Sequence, residues 1–261
     1  MASPFIWYEL LTNDVEAAGR FYGEVVGWTV QPSGQPGMDY RFWKVGETAV
    51  GGLMALPEAK DGPPSADAPG MQPGWLGYVR VPDVDGTIAQ MTGMGGAEVM
   101  PAMTLPGVGR MALVADPQGA VLYVMTPEGN MPATTFARGK VGHGGWNELH
   151  TTDWKSALEF YGTNFGWSAA EAMDMGPMGT YQLFRDGGES ETMGAMFNNP
   201  NLPRPAWLYY FHVDNITAAR TRLEAAGGSV LMGPHEVPGG QWIMQARDPQ
   251  GAMFAIVGPE R

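Results

Sequence analysis

Trp7-Tyr8-Glu9-Leu10-Leu11-Thr12-Asn13-Asp14 and Trp146-Asn147-Glu148-Leu149-His150-Thr151-Thr152-Asp153 are two versions of one pattern, 139 residues apart. The offset holds without a gap through Phe21-Tyr22-Gly23 against Phe160-Tyr161-Gly162, and through Gly27-Trp28 against Gly166-Trp167. Further on it falls to 132: Trp75 matches Trp207, and Asp116-Pro117-Gln118-Gly119-Ala120 matches Asp248-Pro249-Gln250-Gly251-Ala252. Self-similarity at a fixed spacing marks a duplicated structural unit. The 261 residues therefore divide into residues 1–128 and 146–261, joined by a linker over 129–145.

Each half divides again. At four places a strand-like segment leads into a short acidic cap and then a stretch with helical spacing: Asn13-Asp14, Pro82-Asp83, Thr152-Asp153 and Asp214-Asn215. Asp or Asn there can accept hydrogen bonds from the free N–H groups of a first helical turn. Val15, Ala18, Phe21 and Tyr22 fall on one helix face, as do Ala157, Phe160 and Tyr161. Gly27, Gly95-Gly96, Gly166 and Gly227-Gly228 follow as stop signals. Short runs rich in Val, Met, Tyr and Phe come next, among them Tyr40 to Val45, Val50 to Leu56, Met111 to Ala115 and Val121 to Met125, and Asp-Pro-Gln-Gly reads as the tight turn before the last strand. Proline-rich stretches over 57–74 and 198–205 separate the units. The expected class is α+β: strand, helix, then three strands, four times over. Antiparallel strands are expected beside the helices, and two βαβββ modules per half should pair into an eight-stranded, half-closed cup.

Composition narrows the function. Apolar residues make up 44% and charged residues 16%, as in a packed globular chain, and the net charge of −12 lacks the basic footprint of a nucleic-acid binder. With no cysteine there are no disulfides, thiolate metal sites or cysteine nucleophiles. Neither a signal peptide nor a run of about 18 apolar residues appears, so a cytoplasmic chain with no membrane contact is expected. There is no G-x-S-x-G elbow and no phosphate-binding glycine loop.

The helix signatures FYGEVVGW and FYGTNFGW, with closing strands introduced by DPQGA, resemble the vicinal oxygen chelate superfamily of glyoxalases, bleomycin-resistance proteins and extradiol dioxygenases. The likeness runs along the whole chain, twice, and implies two tandem domains of that fold. It also implies where a metal would sit: on the opening strand of a unit, at the start of the next unit, and four residues after the glycine of the Asp-Pro-x-Gly turn. Those positions hold Trp7, Leu76 and Tyr123 in the first half and Trp146, Leu208 and Ala255 in the second. None offers a carboxylate or imidazole, so neither metal nor other cofactor is expected.

Strand alternation puts Trp7, Glu9 and Leu11 on one face and Trp146, Glu148 and His150 on its counterpart. By the resemblance these faces line the cups. Glu148 and His150 are a carboxylate–imidazole pair at strand spacing, suited to general acid–base catalysis, to holding an ion, or to a purely structural hydrogen bond. His143, His212 and His235 are read as structural or solvated, in a linker, a strand end and a loop. Trp75, Trp207 and Trp242, with several methionines, fall near the expected cup walls or pack beneath the helices. The reading is a metal-independent binder of a small aromatic or hydrophobic ligand, using Trp7, Glu9, Tyr123, Trp146, Glu148 and His150. The alternative is a glyoxalase-, isomerase- or dioxygenase-like enzyme with Glu148 and His150 as catalytic residues. Monomer and homodimer are both compatible with the duplication.

Overall fold

The computed structural model describes residues 3–57, 71–129, 134–187 and 191–260; much of the 57–74 connection and part of the 129–145 linker lie outside them. All four quarters of the chain follow one order. The first is β1 (Phe5–Thr12), α1 (Val15–Val26), β2 (Thr29–Pro32), β3 (Tyr40–Val45) and β4 (Thr48–Ala55). The second is β5 (Gly74–Arg80), α2 (Val84–Gly93), β6 (Ala97–Leu105), β7 (Gly109–Ala115) and β8 (Val121–Pro127). The third is β9 (Gly144–Thr151), α3 (Trp154–Phe165), β10 (Ser168–Asp174), β11 (Thr180–Arg185) and β12 (Thr192–Asn198). The fourth is β13 (Ala206–His212), α4 (Ile216–Ala225), β14 (Ser229–Val237), β15 (Gln241–Arg247) and β16 (Met253–Gly258). Among the described residues the strands form two eight-stranded sheets, in the orders β2-β3-β4-β1-β5-β8-β7-β6 and β10-β11-β12-β9-β13-β16-β15-β14. This is the tandem α+β fold expected.

The sheets are mixed, which corrects the expectation of antiparallel strands. β1 runs parallel to β4, β5 to β8, β9 to β12 and β13 to β16. A helix between two strands carries the chain back to the end where it started, so the next strand repeats the first one's direction. Two hairpin reversals then leave the last strand of each module parallel to the opening one.

Three of the four caps form. Asp14 accepts from the Ala17 amide at 2.9 Å, Asp153 from Lys155 at 3.1 Å, and Asn215 from Ala218 at 2.7 Å. Asp83 occupies the fourth cap position without a side-chain hydrogen bond. Gly27 and Gly166 end α1 and α3 in the left-handed region, at φ 88° and 75°.

The chain packs as two compact units. One comprises Met1–Trp7, Leu76–Phe136 and Trp146–Tyr209; the other comprises Tyr8–Trp75, Ala137–Gly145 and Tyr210–Arg261. In the first unit α2 lies beside α3, and in the second α1 lies beside α4. Both cores centre on a helix tyrosine bonded to the turn aspartate of the opposite half of the sequence. Tyr161 donates to Asp116 at 3.0 Å and receives the Trp207 indole N–H at 3.3 Å. In the second unit Tyr22 donates to Asp248 at 3.1 Å and receives the Trp75 indole at 2.9 Å. Each aspartate's other oxygen accepts two amides of its own turn, Gln118 and Ala120 or Gln250 and Ala252, all at 2.9 Å. Burial raises both carboxyls above the ordinary range, against the hydrogen bonds that favour the charge. Gln118 also clamps the start of α3: its Oε1 accepts from the Thr152 and Asp153 amides and its Nε2 donates to the Asp153 carbonyl.

Candidate functional site

The third module sets its polar residues by strand register. Phe197 of β12 pairs with His150 of β9, and Ala195 with Glu148. β11 continues the rows, with Leu183 opposite Ala195 and Gln182 opposite Met196, which puts Tyr181 beside Phe197. The alternate residues Leu149, Phe184 and Met196 are fully buried, and Phe184 stacks on Trp167 behind α3 at 4.8 Å. Trp146, Glu148, His150, Tyr181 and Phe197 therefore share the face turned away from the helix. His150 lies 4.7 Å from the Phe197 ring, centroid to centroid, and Tyr181 lies 5.6 Å from it. On the opposite face Gly194 lets the Phe184 ring pack closely, because a β-carbon there would collide with the Asn147 carbonyl and stand 2.6 Å from that ring.

Hydrogen bonds run through this face as a directed chain. The Trp146 indole donates to the Tyr181 hydroxyl at 2.9 Å, and Tyr181 donates to Glu148 Oε2 at 2.5 Å. Glu148 Oε1 lies 2.7 Å from His150 Nε2. On the far side of the imidazole, Asn199 Nδ2 meets Nδ1 at 2.8 Å, while Asn199 Oδ1 accepts the Asn201 amide at 2.9 Å. That backbone donor fixes which way the Asn199 amide faces, so Nδ1 of His150 is the acceptor and the ring proton sits on Nε2, aimed at Glu148. Glu148 and His150 are each 4% exposed. Trp146, Tyr181 and Phe197 are half-buried around them.

Of the residues expected from sequence, Trp146, Glu148 and His150 come together. Tyr181 and Asn199 were missed. The repeat contained the signal for Tyr181, since Tyr40-Arg41-Phe42-Trp43 matches Tyr181-Gln182-Leu183-Phe184. Asn199 shows itself only in space. Its amide bonds the Thr151 carbonyl just as Leu56 bonds Thr12, which makes Leu56 its first-half counterpart.

Trp7 and Tyr123 also come together. They pack, with Met111 and Val108, against Ile6, Tyr78 and Met125. Tyr78 and Tyr123 stack at 4.3 Å, 16° from parallel. Glu9 belongs to the other compact unit, buried on β1 opposite Gly52 of β4. Trp75 and Trp207 lie beneath the helices, held by Tyr22 and Tyr161. His235 lies in β14 rather than a loop, because an edge strand with register shifts tolerates the neighbouring Pro234. His212 is buried at the end of β13, where its Nε2 accepts the Gly139 amide at 2.7 Å. Burial, with the Arg138 charge, pushes its imidazole down to about 4.

A family model described as the Glyoxalase/Bleomycin resistance protein/Dioxygenase superfamily matches residues 144–256, and one described as Bleomycin resistance protein-like N-terminal matches residues 5–40. CFP32 of Mycobacterium tuberculosis, whose glyoxylase name is a provisional one, is 31% identical over 97% of this chain and 94% of its own. The chain belongs to the glyoxalase/bleomycin resistance/dioxygenase superfamily. Anthracycline biosynthesis protein DnrV of Streptomyces peucetius is 30% identical over 96% of this chain and 91% of its own. Among solved structures, the Mn(II)-bound glyoxalase of Novosphingobium aromaticivorans superposes with a TM-score of 0.66 at 15% identity, covering 100% of this chain and 83% of that one. The 2,2',3-trihydroxybiphenyl 1,2-dioxygenase of Sphingomonas wittichii gives 0.65 at 12% identity, covering 99% and 91%. These two show the fold alone.

A divalent ion of this superfamily does not fit the residues present. The matching positions carry indole, phenol and alkyl groups, and among the described residues no group of three or more His, Asp or Glu could hold an ion. No helix among the described residues is long and apolar enough to cross a membrane.

Proposed function

We propose that this superfamily member binds a small, flat aromatic or hydrophobic molecule without a metal ion. The observation that carries the reading is the replacement of ligand positions by Trp7, Leu76, Tyr123, Trp146, Leu208 and Ala255. Support comes from the Trp7, Tyr78 and Tyr123 cluster with its methionines, a soft surface for an aromatic ring. A relative named for anthracycline biosynthesis suggests a planar polycyclic ligand. Tryptophan fluorescence titrated with neutral anthraquinone derivatives is the test. Saturable quenching unchanged by EDTA is expected; quenching that needs Mn(II) or Fe(II) would refute the metal-free reading.

The Glu148, His150 and Tyr181 chain favours a second reading, in which Glu148 exchanges protons with a bound substrate. Glu148→Gln separates the two. An enzyme would lose turnover while retaining substrate, whereas a binder would change only in affinity.

A further inference from the structure

Resting on the aromatic-binding reading above, we infer that the face bearing Trp146 and Tyr181 selects a ligand that donates a hydrogen bond from an aromatic hydroxyl to Glu148. His150 and Asn199 act there as positioning residues for the carboxylate. Comparison of the two copies carries the argument. The tryptophan, glutamate and tyrosine are common to both: Trp7 and Trp146, Glu9 and Glu148, Tyr40 and Tyr181. The copies differ where His150 and Asn199 replace Leu11 and Leu56, and those two polar side chains bond each other. The fold is complete with leucine at both places, so it does not require the polar arm. A buried imidazole is costly unless its nitrogens are paired, and Asn199 supplies the partner that turns the Nε2 proton onto Glu148.

The direction of the chain decides the ligand's chemistry. The indole proton of Trp146 goes to Tyr181, the Tyr181 proton to Glu148, and the His150 proton to Glu148. These three donors are directed along the chain toward the carboxylate, so the chain converges on an acceptor. His150 and Tyr181 fix the plane of that carboxylate. The half-buried rings of Trp146, Tyr181 and Phe197 surround it with aromatic surface.

The indole N–H of Trp146 is a local reporter in a proton–nitrogen NMR spectrum of the full chain, assigned by its loss in Trp146→Phe. The probes are 2-naphthol and 2-methoxynaphthalene, which share the ring and differ in the hydroxyl proton. The Trp146 signal is expected to titrate with 2-naphthol about tenfold or more tighter, the size of a hydrogen bond to a charged acceptor. Glu148→Gln should collapse that ratio. The His150→Leu/Asn199→Leu double variant, which copies the first half, should bring it within about twofold while unfolding stays cooperative. Equal affinities in the parent protein, or a ratio that survives either variant, would overturn the inference and leave aromatic binding standing. If neither probe moves the signal of any tryptophan, the binding reading itself falls, and this inference with it.

Discussion

His212 offers the sharpest test of the packing. Its Nε2 accepts the Gly139 amide at 2.7 Å, and the same segment is tied down by the Gly142 amide on the His212 carbonyl and the Trp28 indole on the Gly142 carbonyl. A protonated imidazole cannot accept that bond, and burial with the nearby Arg138 charge holds the group at about 4. A histidine whose folded value is depressed leaves stability untouched above its unfolded value of about 6.5. Below that, the unfolded chain takes up the proton first, so stability falls progressively from about pH 6.5 to about 4. The full shift corresponds to about 3 kcal/mol, and solvent screening of a group near the surface reduces it to about 2. Urea unfolding at pH 7.5 and pH 4.5 should therefore cost the parent protein about 2 kcal/mol more than His212→Gln, whose amide oxygen still accepts from Gly139. Asp116 and Asp248 act in the opposite sense. Their raised folded values mean stability lost as pH rises through them, but both proteins carry them, so they cancel in the difference. Identical pH slopes for the two proteins would refute the reasoning.

Tyr161→Phe should cost about 1.5–3 kcal/mol in urea unfolding, because it strips a hydroxyl from the buried Asp116 carboxylate; Tyr22→Phe should match it through Asp248. Gln118→Ala should lose about 1–2 kcal/mol by freeing the amides at the start of α3, read by the same titration. Gly194→Ala should destabilise by about 1–3 kcal/mol or more through overpacking against Asn147 and Phe184, read as a lowered thermal midpoint.

The order of elements was legible because each boundary has a local cause. Asp14 and Asp153 cap the helices they precede, and Gly27 and Gly166 take the positive φ that ends them. Asp116 and Asp248 fold their own turns by accepting amides two and four residues on. Glu148 and His150 could be paired from sequence because a strand repeats its face every second residue. Asn199 could not be, since it reaches His150 from 49 residues away, out of the connection just beyond β12. The fate of Trp75 and Trp207 was equally hidden. A tryptophan on a half-buried strand suits either face, and only the hydroxyls of Tyr22 and Tyr161 place these two beneath the helices.

The duplication itself has a physical consequence that reading each half separately would miss. The helix tyrosine and the turn aspartate recur together in both halves, which suggests that each half is self-sufficient. In space they are exchanged: Tyr22 bonds Asp248 across 226 residues, and Tyr161 bonds Asp116 across 45. Each compact unit therefore draws its central buried tyrosine–aspartate bond from both copies, while the indole that donates to each tyrosine comes from the tyrosine's own copy. A half expressed alone would keep the Trp75–Tyr22 bond and the Asp116 turn bonds but lose the partner for the tyrosine's own proton and for the second carboxylate oxygen, a loss of about 1–3 kcal/mol for each polar atom left buried without a partner. A second copy could supply the missing groups to an isolated half, so fragments should be unstable as monomers and regain structure only by pairing. Sedimentation of residues 1–128 alone tests this: a stable folded monomer would show that the exchanged bonds are dispensable.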